Sequence, residues 1–203
     1  RVSTGIVFTD NNSSSLYLMK NDITEKIFSS PGCGNYFTIS DDKTKIGFKF
    51  INKEGKQIPS YFSLTTNEIT FFETEDLLAG QLSFTKDNRF AFTSGENLII
   101  TKNGNIKKYK LGTYSNIAPV SPDGFYVVYN DINDKIRLLD LKNNIHIQIS
   151  DESHGYFYPK WSPNSRYIVY SSLGNELYLY DLSKSKTIKI GSGFNPAWSY
   201  KSD

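Results

Sequence analysis

Apolar and polar residues alternate over short runs, and no long stretch keeps a helical period. Leu177, Tyr178, Leu179, Tyr180, Asp181 and Ile136, Arg137, Leu138, Leu139, Asp140 are two such runs, and period-two alternation marks a half-buried strand. Thinner, more polar runs follow them, Ile145 to Ile149 and Thr187 to Ile190, as an edge strand exposed on one side should read. Other short runs, Ile46 to Phe48, Phe90 to Phe92, Val127 to Tyr129 and Ile168 to Tyr170, each end on an aromatic ring. That repeated ring is predicted to stack between layers.

The runs are ordered by a recurring anchor, a Ser or Thr after a large apolar residue. The anchors are Ser40, Thr85, Ser121, Ser162 and Ser199, spaced 45, 36, 41 and 37 residues apart, and the residues before them are Ile39, Phe84, Val120, Trp161 and Trp198. A period of about 40 residues is that of β-propeller blades, with the apolar residue on an inner strand packed between neighbours. Turn residues follow the anchor: Pro122, Asp123, Gly124; Pro163, Asn164, Ser165; Lys86, Asp87, Asn88. Pro fixes φ for such a turn, and Asp, Asn and Gly tolerate what comes next. Each unit is therefore predicted to be a four-stranded meander.

The N-terminus starts out of phase. Gly5 to Phe8 matches a second strand, Ser15 to Met19 a third and Glu25 to Phe28 an outer one, whereas Pro196, Ala197, Trp198, Ser199 reads as an inner strand followed by a turn. The surplus at one end matches the deficit at the other. The expectation is an all-β, five-bladed β-propeller of four-stranded antiparallel blades, a single domain over 1–203, with the C-terminal strand (195–203) completing the N-terminal blade. Its blades are 195–203 with 1–29, then 35–73, 80–110, 116–150 and 157–191. Closure of this kind removes an open edge. The rival expectation is a piece of a six- or seven-bladed ring.

Composition agrees with strands: 15% of residues are aromatic, with 14 Tyr and 14 Phe. The net charge of +2 comes from 23 basic and 21 acidic residues, the basic ones nearly all Lys scattered singly. No basic stripe forms, so the lysines read as solvated faces and nucleic acid is not an expected partner. Cys33 is the only cysteine, so no internal disulfide is possible. No stretch approaches the ~18 apolar residues of a membrane span, and no signal sequence stands at Arg1.

The phrase Pro159, Lys160, Trp161, Ser162, Pro163, Asn164, Ser165, Arg166, Tyr167, Ile168, Val169, Tyr170, Ser171, Ser172, continuing to Leu177 through Asp181, resembles the TolB-like, WD-repeat-like propeller repeat. The turn at Ser121 to Gly124 and the segment Pro196 to Ser199 are similar to the same repeat, while the units around Ser40 and Thr85 keep only its pattern of residue types. The resemblance implies a bacterial, periplasmic or cell-surface binding module. Its implied partner is a protein or a cell-envelope component such as peptidoglycan, met as a monomeric domain within a larger protein or complex. The family usually builds six or more blades, a departure from the count of five.

Catalytic constellations are scarce. His146 sits on an outer strand between Ile145 and Ile147 and reads as a solvent-facing edge residue; His154 lies in the loop entering the last unit. Two histidines and one cysteine cannot furnish the usual zinc ligand sets, and neither a metal nor a cofactor is expected. Cys33 could act as a nucleophile only if His154 faced it. Asp131, Asn133 and Asp134 resemble the start of a calcium loop, but Lys135 and the lack of a following Gly and distal Glu make a polar turn the better account. Glycosidases need paired carboxylates, and the inner-strand positions carry Thr38, Ser83, Pro119, Lys160 and Ala197 instead.

Binding surface remains. In a propeller the loops leading from one unit's outer strand to the next unit's inner strand gather at one mouth of the channel. Those loops hold Tyr36, Gln81, Tyr114, Asn116, His154, Tyr156, Tyr158, Phe194 and Asn195. Aromatic rings mixed with amides make an amphipathic contact surface. The expected function is thus non-enzymatic binding at the mouth. The alternatives are the propeller part of a hydrolase, glycosidase or peptidase-linked, and a structural spacer in a longer protein.

Overall fold

The computed structural model describes residues 5–102, 104–151, 153 and 158–199. Its strands form five antiparallel sheets, each with sequence neighbours side by side. The first unit holds β1 (Ile6–Thr9), β2 (Ser15–Lys20) and β3 (Ile23–Ser29). The second holds β4 (Phe37–Ile39), β5 (Lys45–Ile51), β6 (Gln57–Ser63) and β7 (Glu68–Phe71). The third is β8 (Ser83–Phe84), β9 (Phe90–Ser94), β10 (Asn97–Lys102) and β11 (Asn105–Lys110). The fourth is β12 (Tyr126–Asn130), β13 (Ile136–Asp140) and β14 (Ile145–Gln148). The fifth is β15 (Lys160–Trp161), β16 (Tyr167–Ser171), β17 (Glu176–Asp181) and β18 (Lys186–Ser192). Among the described residues there is no helix, and so none long and apolar enough to cross a membrane.

Four-stranded blades are realised in the second, third and fifth units only. In the fourth, the inner strand shrinks to a single bridge between Val120 and Val127, because Pro119 has no N–H to donate to a ladder. In the first, residues 195–199 form no strand, and nothing among the described residues pairs them with β1. Residues 1–4, Phe157 and 200–203, which the expected blade limits include, lie outside the described residues. What the C-terminal segment does do is dock on the fifth unit. Trp198 Nε1 donates to Lys160 O at 2.9 Å, as Trp161 Nε1 donates to Pro119 O at 2.9 Å one unit earlier. The fifth copy of the repeat therefore sits against its neighbour as the fourth does.

The recurring anchor is a buried hydroxyl with its bonding completed inside its own turn. Ser40, Thr85, Ser121 and Ser162 are at most 2% exposed. Each donates to the carboxylate or amide two residues on, Asp42, Asp87, Asp123 or Asn164, at 2.6–2.7 Å. Each also accepts a backbone N–H from the returning strand, Lys45, Arg89, Tyr126 or Tyr167. Without a hydroxyl there the returning N–H would lose its acceptor, at a cost of about 1–3 kcal/mol, which favours Ser or Thr at the position. The third residue after the anchor is left-handed every time, at Lys43, Asn88, Gly124 and Ser165, with φ between 58° and 75°. Neighbouring turns are laced together: Asn88 Nδ2 donates to Asp42 Oδ2, Arg89 Nη2 to Asp123 O, and Asp123 N to Ser165 Oγ.

The aromatic residues that end the second strands, Phe48, Phe92, Tyr129 and Tyr170, are all at most 3% exposed. Each sits in an apolar cluster shared with the preceding unit. Phe48 meets Val7, Leu16 and Leu18; Phe92 meets Phe72; Tyr129 meets Leu98 and Tyr109; Tyr170 meets Val128, Ile136 and Leu138. Burying such a side chain contributes about 1.5–3 kcal/mol. Four interfaces join five units in succession. At the two ends of that succession, Ile6 and Phe8 of the first unit and Ile188 of the fifth are exposed among the described residues.

Candidate functional site

The end of each unit opposite the anchored turns carries the connecting loops, and their backbone is fixed before their side chains are considered. Gly80 N donates to Thr93 O, Thr93 Oγ1 to Ser115 O at 2.7 Å, and Gln81 N to Asn116 O at 2.7 Å. The loop entering β8 is thus stitched to the loop leading toward β12. Gly80 makes this possible, since a Cβ there would lie 2.0 Å from Thr93 Oγ1 and 2.9 Å from Asn116 O.

These loops enclose a cavity of about 190 Å³ lined by Tyr36, Lys49, Gln81, Asn116, Ile117, Tyr158, Pro159 and Lys160. Its walls come from the second, third, fourth and fifth units, so it lies where the units converge. Four of the sequence-predicted residues, Tyr36, Gln81, Asn116 and Tyr158, meet here. Tyr114, Phe194 and Asn195 are exposed and do not line it. His154 and Tyr156 lie outside the described residues.

Lys49 is a site residue that sequence reasoning misses, because a lone lysine in an alternating strand reads as solvated. It is instead partly buried and turned inward. Its ammonium donates to Gln57 Oε1 at 3.1 Å, to Ala79 O, and to Gly80 O at 3.4 Å. Burial holds its pKa below the ordinary lysine value. No carboxylate lines the cavity among the described residues. Lys160, beside it, keeps an exposed side chain while its backbone is held by Val169 and Trp198.

The other sequence candidates take structural parts. His146, expected to face solvent, is exposed along its strand yet shares a hydrogen bond at Nδ1 with the buried Tyr129 hydroxyl, 2.6 Å away. Burial pushes the Tyr129 phenol up to about 12, and burial followed by the Arg137 charge lowers the His146 pKa. Cys33 is fully buried in the cluster around Phe48, and burial raises its thiol pKa, the opposite of what a nucleophile needs. The Asp131 carboxylate accepts from Asn133 N and Lys135 N and pairs with Arg137 Nε at 2.8 Å, closing a polar turn.

No family model matches the chain, and a search of curated proteins finds no match. Solved structures do match. TolB from Acinetobacter baumannii is 19% identical, with a TM-score of 0.62, over 89% of this chain and 49% of that one. A protein described as a TolB from Agrobacterium tumefaciens is 16% identical, with a TM-score of 0.67, over 93% and 82%. The Cps50 (Swd1) β-propeller domain of Myceliophteria thermophila is 10% identical, with a TM-score of 0.62, over 78% and 56%. The chain spans about half the length of the Acinetobacter TolB, at 49%. At these identities the likeness concerns the fold, which is that of TolB-like and WD-repeat-like propellers.

Proposed function

We propose that the chain is a non-enzymatic binding module of a bacterial cell envelope, that its five units close into a ring, and that a protein or envelope polymer docks at the mouth. The observation that carries the reading is the convergence of Tyr36, Gln81, Asn116 and Tyr158 from four separate loops onto one cavity. Repeated residues are consumed by the scaffold, while these unrepeated ones bring amide-bearing and phenol-bearing residues to the wall of one space. The stitched backbone beneath them limits the ordering entropy that docking must overcome. The TolB-like phrase from Pro159 to Asp181 supports the envelope setting. The Trp198 contact, which repeats that of Trp161, supports closure by the C-terminal segment.

A photo-crosslinker in place of Tyr158, compared with one in place of Lys86 on the anchored-turn end, tests the assignment in a bacterial envelope extract. A discrete adduct is expected from position 158 and none from position 86. The reverse pattern would place the binding face at the wrong end and sink the reading.

A further inference from the structure

We infer that the mouth cavity binds a carboxylate, supplied as an Asp or Glu side chain of a polypeptide partner. The inference rests on the mouth being the binding face and adds the chemistry of what enters it. Two cations, Lys49 and Lys160, line a cavity without a carboxylate among the described residues. The Lys49 ammonium donates to neutral oxygens, Gln57 Oε1, Ala79 O and Gly80 O, so its charge has no counter-ion among them. A partly buried charge without an opposite partner is costly to keep. An entering anion would offset that cost without displacing the carbonyls.

The remaining donors suit the same guest. The Lys160 ammonium and the Gln81 and Asn116 side-chain amides make no hydrogen bond among the described residues, and all three residues line the cavity. Charge-assisted bonds from such donors to a carboxylate are the strong ones. Ion pairs elsewhere join surface or half-buried groups, Asp87 with Arg89 and Lys102, Asp131 with Arg137, Asp181 with Arg166. Lys49 differs from them in being partly buried with only neutral oxygens around its ammonium. A cavity of about 190 Å³ admits one side chain rather than a folded surface, and Tyr36 and Tyr158 at its wall offer ring faces to the peptide that carries it.

The test uses the whole chain and three small probes, read by NMR shifts of the Gln81 and Asn116 side-chain amides. N-acetyl-glutamate methylamide should give saturable shifts in the millimolar range. Its glutamine counterpart should bind about fivefold or more weakly, and acetyl-alanine with a free terminal carboxylate should also bind more weakly. Added salt should weaken the glutamate probe selectively. Lys160→Gln, which removes an exposed charge with no bond to lose, should reduce glutamate affinity about threefold to fivefold, the range of a partly solvated ion pair. Lys49→Gln tests the second charge, with the melting temperature as a control for the three carbonyls it deprives. Equal binding of the glutamate and glutamine probes, or indifference to Lys160→Gln, overturns the carboxylate inference while leaving the mouth as the binding face. Tighter binding of acetyl-alanine overturns the side-chain assignment. No shift with any probe overturns both.

Discussion

The two ends of the units solve opposite problems with the same polar residue types. At the anchored turns, Ser121 gives its proton to Asp123 and takes those of Phe125 and Tyr126, so little bonding capacity is left for a ligand. At the mouth, the backbone is equally satisfied, through Gly80 to Thr93 and Gln81 to Asn116, yet the Gln81 and Asn116 amides remain unspent. Repetition marks the end where polar groups bond to each other. Irregularity marks the end where side-chain amides keep no partner among the described residues.

Substitutions can break this contrast in a graded way. The largest effect is expected from Gly80→Ala, which drives a Cβ into Thr93 Oγ1 and Asn116 O. It should cost about 2–3 kcal/mol, in line with overpacking of a close contact, and spread the mouth, so denaturant midpoint and mouth binding fall together. That outcome would show that the mouth's backbone is scaffold even where its side chains are not. Ser121→Ala comes next, at about 1–2 kcal/mol, because it strands the part-buried Tyr126 N–H and removes the hydroxyl that donates to Asp123; chemical denaturation should reveal it, with binding unchanged below the transition.

Acid should act on the turn end first. Burial alone would raise the Asp42 pKa, but bonds from Ser40, Thr44 and Asn88 outweigh it and bring it from 3.8 to about 2. A folded pKa below the unfolded value means that the stability this group contributes is present above 3.8 and is lost as pH falls toward 2. Melting temperature against pH should therefore drop across that window, and less steeply in Asp42→Asn. The smallest effect is a gain. Lys43 holds a left-handed φ of 60°, and Lys43→Gly should raise stability by up to about 1 kcal/mol by removing the Cβ strain, seen as a small upward shift in melting temperature.

Much of the scaffold is legible in the sequence because it repeats. The anchors Ser40, Thr85, Ser121 and Ser162, their turn partners and the buried Phe48, Phe92, Tyr129 and Tyr170 all obey local rules of hydrogen bonding and strand periodicity, although Phe48 and Phe92 pack tilted across units, on Phe28 and Phe72, rather than stacked. The thin inner strand of the fourth unit follows from Pro119, a residue visible in advance but easily absorbed into the repeat. Pairing of residues 195–199 with β1 depends on long-range contact, which periodicity does not encode, and the described residues do not display it. At the mouth, Tyr36, Gln81, Asn116 and Tyr158 follow from loop position alone. Lys49 does not: its inward turn is set by carbonyls of Ala79 and Gly80, thirty residues away in a loop that the strand pattern says nothing about.

The contrast between the two ends is tested most directly by measuring melting temperature and mouth binding together in two proteins, Tyr36→Ala with Tyr158→Ala, and Ser121→Ala. The double mouth variant should lose crosslinking to its partner, read from a probe in place of Asn116, while melting far closer to the parent than Ser121→Ala does, since both tyrosines are exposed and exposed substitutions change stability little. Ser121→Ala should melt several degrees lower and bind normally when folded. A mouth variant that unfolds as readily as Ser121→Ala, or one that binds undiminished, would contradict the division of the molecule into a self-satisfied scaffold and a receptive mouth.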